Sequence, residues 1–188
     1  MKILFYCMLA LFLLSSQVTG VELITNGAFE TNTDGWTNWS NGTGSITIGN
    51  YDISDPDNEV LSYKNTDAGY SSIFQIVPSP NLDIVFSTSA AFWDYCEDNS
   101  ENYYAASAVI LYYLKEDETA LGETRIYAAT QYCPWQNTST THLYPVHDTL
   151  WNDYSFNITD ELANLPGVPQ DSIKELKVSV YSFTTTHC

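Results

Sequence analysis

Short apolar runs broken by clusters of Gly, Pro, Asn and Asp set the reading of this chain. The runs near 22–30, 44–51, 59–64, 70–78, 83–95, 103–115, 122–132, 151–158 and 174–186 are rich in Tyr, Val, Ile, Thr and Phe. Such residues suit a pleated, half-buried surface, so about nine antiparallel strands are predicted. Residues 160–165 (DELANL) alone look helical: Asp160 can cap a turn or two, and Pro166 with Gly167 ends it. Many strands and one short helix predict an all-β jelly-roll sandwich rather than an α/β fold.

Alternation assigns faces on three strands. From residue 84, Ile84, Phe86, Thr88, Ala90 and Phe92 form one side and read as core. Val85, Ser87, Ser89, Ala91, Trp93 and Tyr95 form the other. In the next strand Ala106, Ala108, Ile110, Tyr112 and Leu114 are expected inside, leaving Ser107, Val109, Leu111 and Tyr113 outside. In the third, Ile126 and Ala128 point inward while Arg125, Tyr127, Ala129 and Gln131 point outward.

Residues 1–20 predict an export signal. Lys2 precedes the apolar run 3–14, and Val18 and Gly20 supply small residues before a cut. The run is shorter than the roughly 20 residues a spanning helix needs. Residues 21–188 then form one domain with no membrane span, secreted or held at an outer surface. With Lys2 gone, five basic residues face 23 acidic ones, a field that repels phosphate backbones and argues against nucleic acid. Apolar content of 44% suffices for a core.

Cys96, Cys133 and Cys188 remain after export. An oxidising exterior favours pairing, and Cys96–Cys133 is the expected disulfide if the intervening strands alternate in direction. Self-association is then expected through Cys188 or an open sheet edge. Asn38, Asn41, Asn137 and Asn157 each open a sequon and are candidate glycosylation sites.

Residues 23–36 (LITNGAFETNTDGW) resemble the opening of CenC-type carbohydrate-binding modules, with an N-G-x-F-E strand followed by G-W. The stretch 69–87 (GYSSIFQIVPSPNLDIVFS) is similar to the next landmark of that family, and 174–183 (KELKVSVYSF) to its penultimate strand. The resemblance implies a galactose-binding-like jelly roll with a sugar cleft on one sheet and often a structural calcium. Glu30 takes the calcium role by resemblance, and the acidic loop holding Asp52, Asp55 and Asp57 can add oxygens, Asp57 foremost. Solvated surface charge is the other account of that loop. The family usually closes with one more strand. This chain stops at Cys188, so it is either a fragment or leaves an edge open.

Glycans are held by flat aromatic faces with a few placed polar groups. The expected set is Trp93, Tyr95, Tyr113, Arg125, Tyr127 and Gln131, with Gln75 joining from a neighbouring strand. The same residues could equally form a second small core beneath a loop. No G-x-S-x-G elbow, H-E-x-x-H pair or glycine-rich phosphate loop occurs, and Pro145 between His142 and His147 suits a loop better than a zinc site. The expectation is a carbohydrate-binding domain that is not an enzyme. The alternative is a structural or adhesive surface protein on the same sandwich.

Overall fold

The computed structural model describes residues 22–52, 58–64, 67–79, 81–97, 100–186 and 188; the expected export signal and Asp57 lie outside them. Among the described residues ten strands form: β1 (Thr37–Ser40), β2 (Ser45–Gly49), β3 (Glu59–Tyr63), β4 (Gly69–Pro78), β5 (Val85–Ala90), β6 (Ala105–Leu114), β7 (Ala120–Ala129), β8 (Thr141–Pro145), β9 (Asn152–Asn157) and β10 (Glu175–Thr184). Six of them make one sheet in the order β1-β4-β10-β6-β7-β8. Two separate pairs, β2-β3 and β5-β9, make up the other layer. The all-β sandwich is therefore observed. One pairing departs from the expected antiparallel pattern, since β7 and β8 run parallel. The segment similar to a penultimate strand, β10, is central and paired on both sides, with β4 and β6.

The core lies between the layers. Val109, Leu111 and Tyr113 of β6, Ile126 and Ala128 of β7, and Leu176 of β10 meet Phe86, Ala90 and Phe92. This corrects the β6 faces: the expected outward set, Tyr113 included, points inward, and Ala106, Ala108, Ile110 and Tyr112 share the outer face. Ala106, Ala108, Ile110 and Leu114 are nonetheless buried too. A central strand covered on both sides is apolar on both, so alternation carries no information there.

The first expected strand is instead a tight turn. Asn26, Phe29 and Asn32 have φ of 53°, 52° and 58°, left-handed values that an extended strand does not contain. The Asn26 amide donates to the carbonyls of Asn32 and Asp34 at 3.0 and 3.2 Å, and its oxygen accepts from Thr31 N at 3.2 Å. Phe29 is buried against Trp36, whose indole N–H donates to Asn26 O at 3.1 Å. Gln75, on the inner side of β4, fastens this turn to the sheet. Its Oε1 accepts from Thr25 N at 2.7 Å, and its Nε2 donates to Thr25 O and Gly35 O at 3.0 and 2.9 Å. Gln75 is thus a buried clamp and lies away from the outer face. Gln75→Leu is expected to cost about 2 kcal/mol by orphaning those backbone groups. Urea unfolding checks this, and a loss under half that value would remove the clamp role.

The helical segment begins earlier than expected. Helix α1 (Ile158–Glu161) is capped by Asn157, whose Oδ1 accepts from Thr159 N at 2.8 Å, and a 3₁₀ turn continues it over Leu162–Asn164. Its last residue, Glu161, is buried. The carboxylate accepts from Thr124 Oγ1 at 2.7 Å, Tyr144 Oη at 2.7 Å and Asn164 Nδ2 at 3.1 Å, and His142 Nδ1 lies 2.6 Å away. Tyr113 Oη stands 3.0 Å from Thr124 Oγ1, extending the network into the core. Burial pushes the Tyr113 hydroxyl well above the usual tyrosine range.

Cys96 bonds to Cys188, which corrects both the expected Cys96–Cys133 bridge and the idea of Cys188 as a thiol for self-association. Cys133 is the free cysteine among the described residues, and burial pushes its thiol up. A disulfide suits an oxidising compartment. No helix among the described residues is long and apolar enough to cross a membrane.

Candidate functional site on the outer sheet face

The outer face of the six-stranded sheet carries a row of rings. Register places Tyr181 of β10 opposite Ala108 of β6, and Ala108 opposite Tyr127 of β7, all on one side. The crossover between β7 and its parallel neighbour β8 brings Trp135 against both Tyr127 and Tyr181. Ring centroids then follow one another across the sheet: Trp39 to Tyr70 at 5.2 Å, Tyr70 to Tyr181 at 6.2 Å, Tyr181 to Trp135 at 6.4 Å and Trp135 to Tyr127 at 5.4 Å. Trp39 is 58% exposed, while the other four are half-buried, so the row presents ring faces and edges to solvent.

Two cations sit among the rings. The Arg125 guanidinium lies 4.2 Å from the centre of the Trp135 ring, and its Nη2 donates to Glu123 Oε1 at 2.6 Å. Its Nε is buried and has no hydrogen-bond partner among the described residues. An orphaned donor of that kind costs free energy until an acceptor arrives. Lys177 Nζ stands 3.9 Å from the Phe74 ring and 5.1 Å from Tyr112. Burial lowers the Lys177 ammonium and pushes the Tyr112 hydroxyl up to about 12, with Glu123 adding to the latter. Tyr181 is raised further by the same burial. These hydroxyls therefore stay protonated, as donors, through the neutral range. The arrangement offers flat apolar contact flanked by fixed donors and one carboxylate.

No protein-family model matches the sequence, and no curated protein matches it. Among solved structures, the chain is similar to the enzymatically active domain of tailspike protein 4 of bacteriophage CBA120, with 13% identity and a TM-score of 0.50. The match covers 88% of this chain and 20% of that one, so the chain spans about a fifth of the solved protein. At this identity the likeness shows the fold alone. It corrects the expectation that the chain is not an enzyme, because the same fold stands within an enzymatically active domain.

Of the expected sugar-binding residues, the structure brings Arg125 and Tyr127 together on the outer face. Gln131 is exposed in the turn after β7. Tyr113 and Gln75 are on the inner side, as described. Trp93 and Tyr95, 59% and 72% exposed, follow β5 in the other layer and border the space between the layers. They cannot share a ligand surface with Tyr127. Trp39, Tyr70, Trp135 and Tyr181 were not anticipated. Alternation along β10, with Lys177, Tyr181 and Phe183 against Leu176, Val178 and Val180, is the signal that finds Tyr181. Trp135 lies in a loop, where no periodicity exists.

For calcium, Glu30 is exposed at the opening turn, and the Asn32 and Asp34 carbonyls there already accept from Asn26. No group of three or more His, Cys, Asp or Glu side chains converges among the described residues. Asn38, Asn41 and Asn137 are exposed, whereas Asn157 is half-buried and its Nδ2 donates to Asp83 at 3.1 Å.

Proposed function

We propose that this is a glycan-recognising domain acting outside the cytoplasm, with the outer face of the six-stranded sheet as its binding surface. The unbroken row from Trp39 to Tyr127 carries the reading. Pyranose rings present flat C–H faces, which stack on aromatic rings, while their hydroxyls need donors and acceptors at the margin. The Arg125–Glu123 ion pair supplies such groups beside Trp135. A relationship to CenC-type carbohydrate-binding modules, on residues 23–36, belongs to the same proposal, as does removal of residues 1–20 on export.

Glycan-array binding tests it. Trp39→Ala and Trp135→Ala are each expected to weaken binding about tenfold, or ~1.4 kcal/mol, with unchanged unfolding midpoints. Trp93→Ala and Tyr95→Ala, in the other layer, should leave binding intact. The integrity of the bound glycan is followed in the same assay, since the fold occurs within an enzymatically active domain. Full retention in both outer-face variants, or equal loss in Trp93→Ala, sinks the assignment.

A further inference from the structure

The second layer of the sandwich is divided. β3 pairs with β2 alone and β5 with β9 alone among the described strands, and no ladder joins the two pairs. A cleft of about 1300 Å³ opens between the layers at this division. Every residue of β3 and of β5 borders it, whereas none of β2 or β9 does, so the edges of β3 and β5 face each other across it. Its floor is the inner side of the large sheet, where Val178 and Val180 are half-buried. Sandwich interiors are normally filled by interdigitating side chains, with few voids larger than a water molecule. An apolar trench flanked by two strand edges without ladder partners departs from that rule.

We propose that the trench between β3 and β5 is a docking groove for an extended segment of a partner protein, one that alternates apolar residues with Lys or Arg. The segment would add as a strand between the two pairs and join them into one sheet. Strand addition supplies main-chain hydrogen bonds from both edges, and every second side chain enters the apolar floor. Charge selects the occupant. Glu22, Glu59, Asp94 and Glu97 border the groove, while Lys64, the basic residue there, is already bonded to Asp67. Asp94 makes no hydrogen bond or ion pair among the described residues, and burial raises its carboxyl, so a cation beside it would relieve that penalty. A second copy of this chain is a poor occupant, because its formal charge of −17 opposes the same rim.

Fluorescence polarisation with short labelled peptides tests the groove on the folded protein. A peptide alternating valine and lysine should bind saturably, more weakly as salt rises. The valine–glutamate counterpart should not bind. N-methylation of alternate residues, which removes main-chain donors while keeping the side chains, should abolish binding. The rim variant Asp94→Asn with Glu97→Gln should weaken it about fivefold, and Trp39→Ala should leave it unchanged. Binding that ignores peptide charge or survives N-methylation overturns the proposal, as does no saturable binding of the lysine peptide. Concentration-dependent dimers that vanish in the rim variant would assign the groove to a second copy and overturn it equally.

Discussion

Glu161→Ala is expected to lose about 3–5 kcal/mol of folding free energy, the range seen when one member of a buried charged network is removed. The cost comes from the groups left behind. Thr124, Tyr144 and Asn164 each donate to this carboxylate, and His142 stands against it. Truncation takes the acceptor from four polar groups around a new cavity, and Thr124 among them is buried, while His142, Tyr144 and Asn164 reach solvent. Glu161→Gln should cost less, about 1–3 kcal/mol, because hydroxyls can turn to accept from the new amide. Urea unfolding of both variants checks the order. A loss under ~1 kcal/mol in the alanine variant would show that the network is not a support of the fold. The effect should reach the outer face as well. Glu161 ties α1 to β8, and β8 fixes the far end of the crossover that carries Trp135. Glu161→Gln, if folded, should therefore weaken glycan binding without touching the ring row directly.

Removing the Cys96–Cys188 disulfide is the second large effect, about 3–5 kcal/mol. The bond closes a separation of 92 residues, and in the chain-entropy account a loop of that length greatly restricts the unfolded ensemble. Cys96→Ser and Cys188→Ser should lower the unfolding midpoint by similar amounts, and reductant should do the same to the wild type. Cys133→Ser should change little in the same assay. A large effect of Cys133→Ser together with none from Cys188→Ser would refute the pairing. The bond joins the segment after β5 to the end of β10, so its loss should loosen the rim of the trench first.

The fold was legible wherever one face of a strand meets solvent. β4, β7, β9 and β10 appear within a few residues of their expected positions, and β7 shows the expected split of Ile126 and Ala128 from Arg125 and Tyr127. β6 also stands where it was expected, but its faces were inverted because both are buried and its outward set could not be read. β1 and β8 were missed for another reason. They are short edge strands, one of them closing on Pro145, and edge positions weaken every sequence signal for a strand. The opening N-G-x-F-E stretch reads as β by composition, but left-handed Asn26, Phe29 and Asn32 fold it into a turn held by Asn26. The binding row was half legible. Arg125 and Tyr127 followed from alternation, whereas Trp135 gains its place only from tertiary geometry.

The parallel β7–β8 pair imposes a condition on the chain between them. To start again in the same direction, the backbone must travel back along the whole length of a strand, and here it does so above the ring row. The crossover is therefore a span whose length and side chains can change without breaking any ladder. Variation there would exchange Trp135 while Trp39, Tyr70, Tyr181 and Tyr127 stay on their strands, so residues 130–140 are where ligand preference can diverge at least cost to folding.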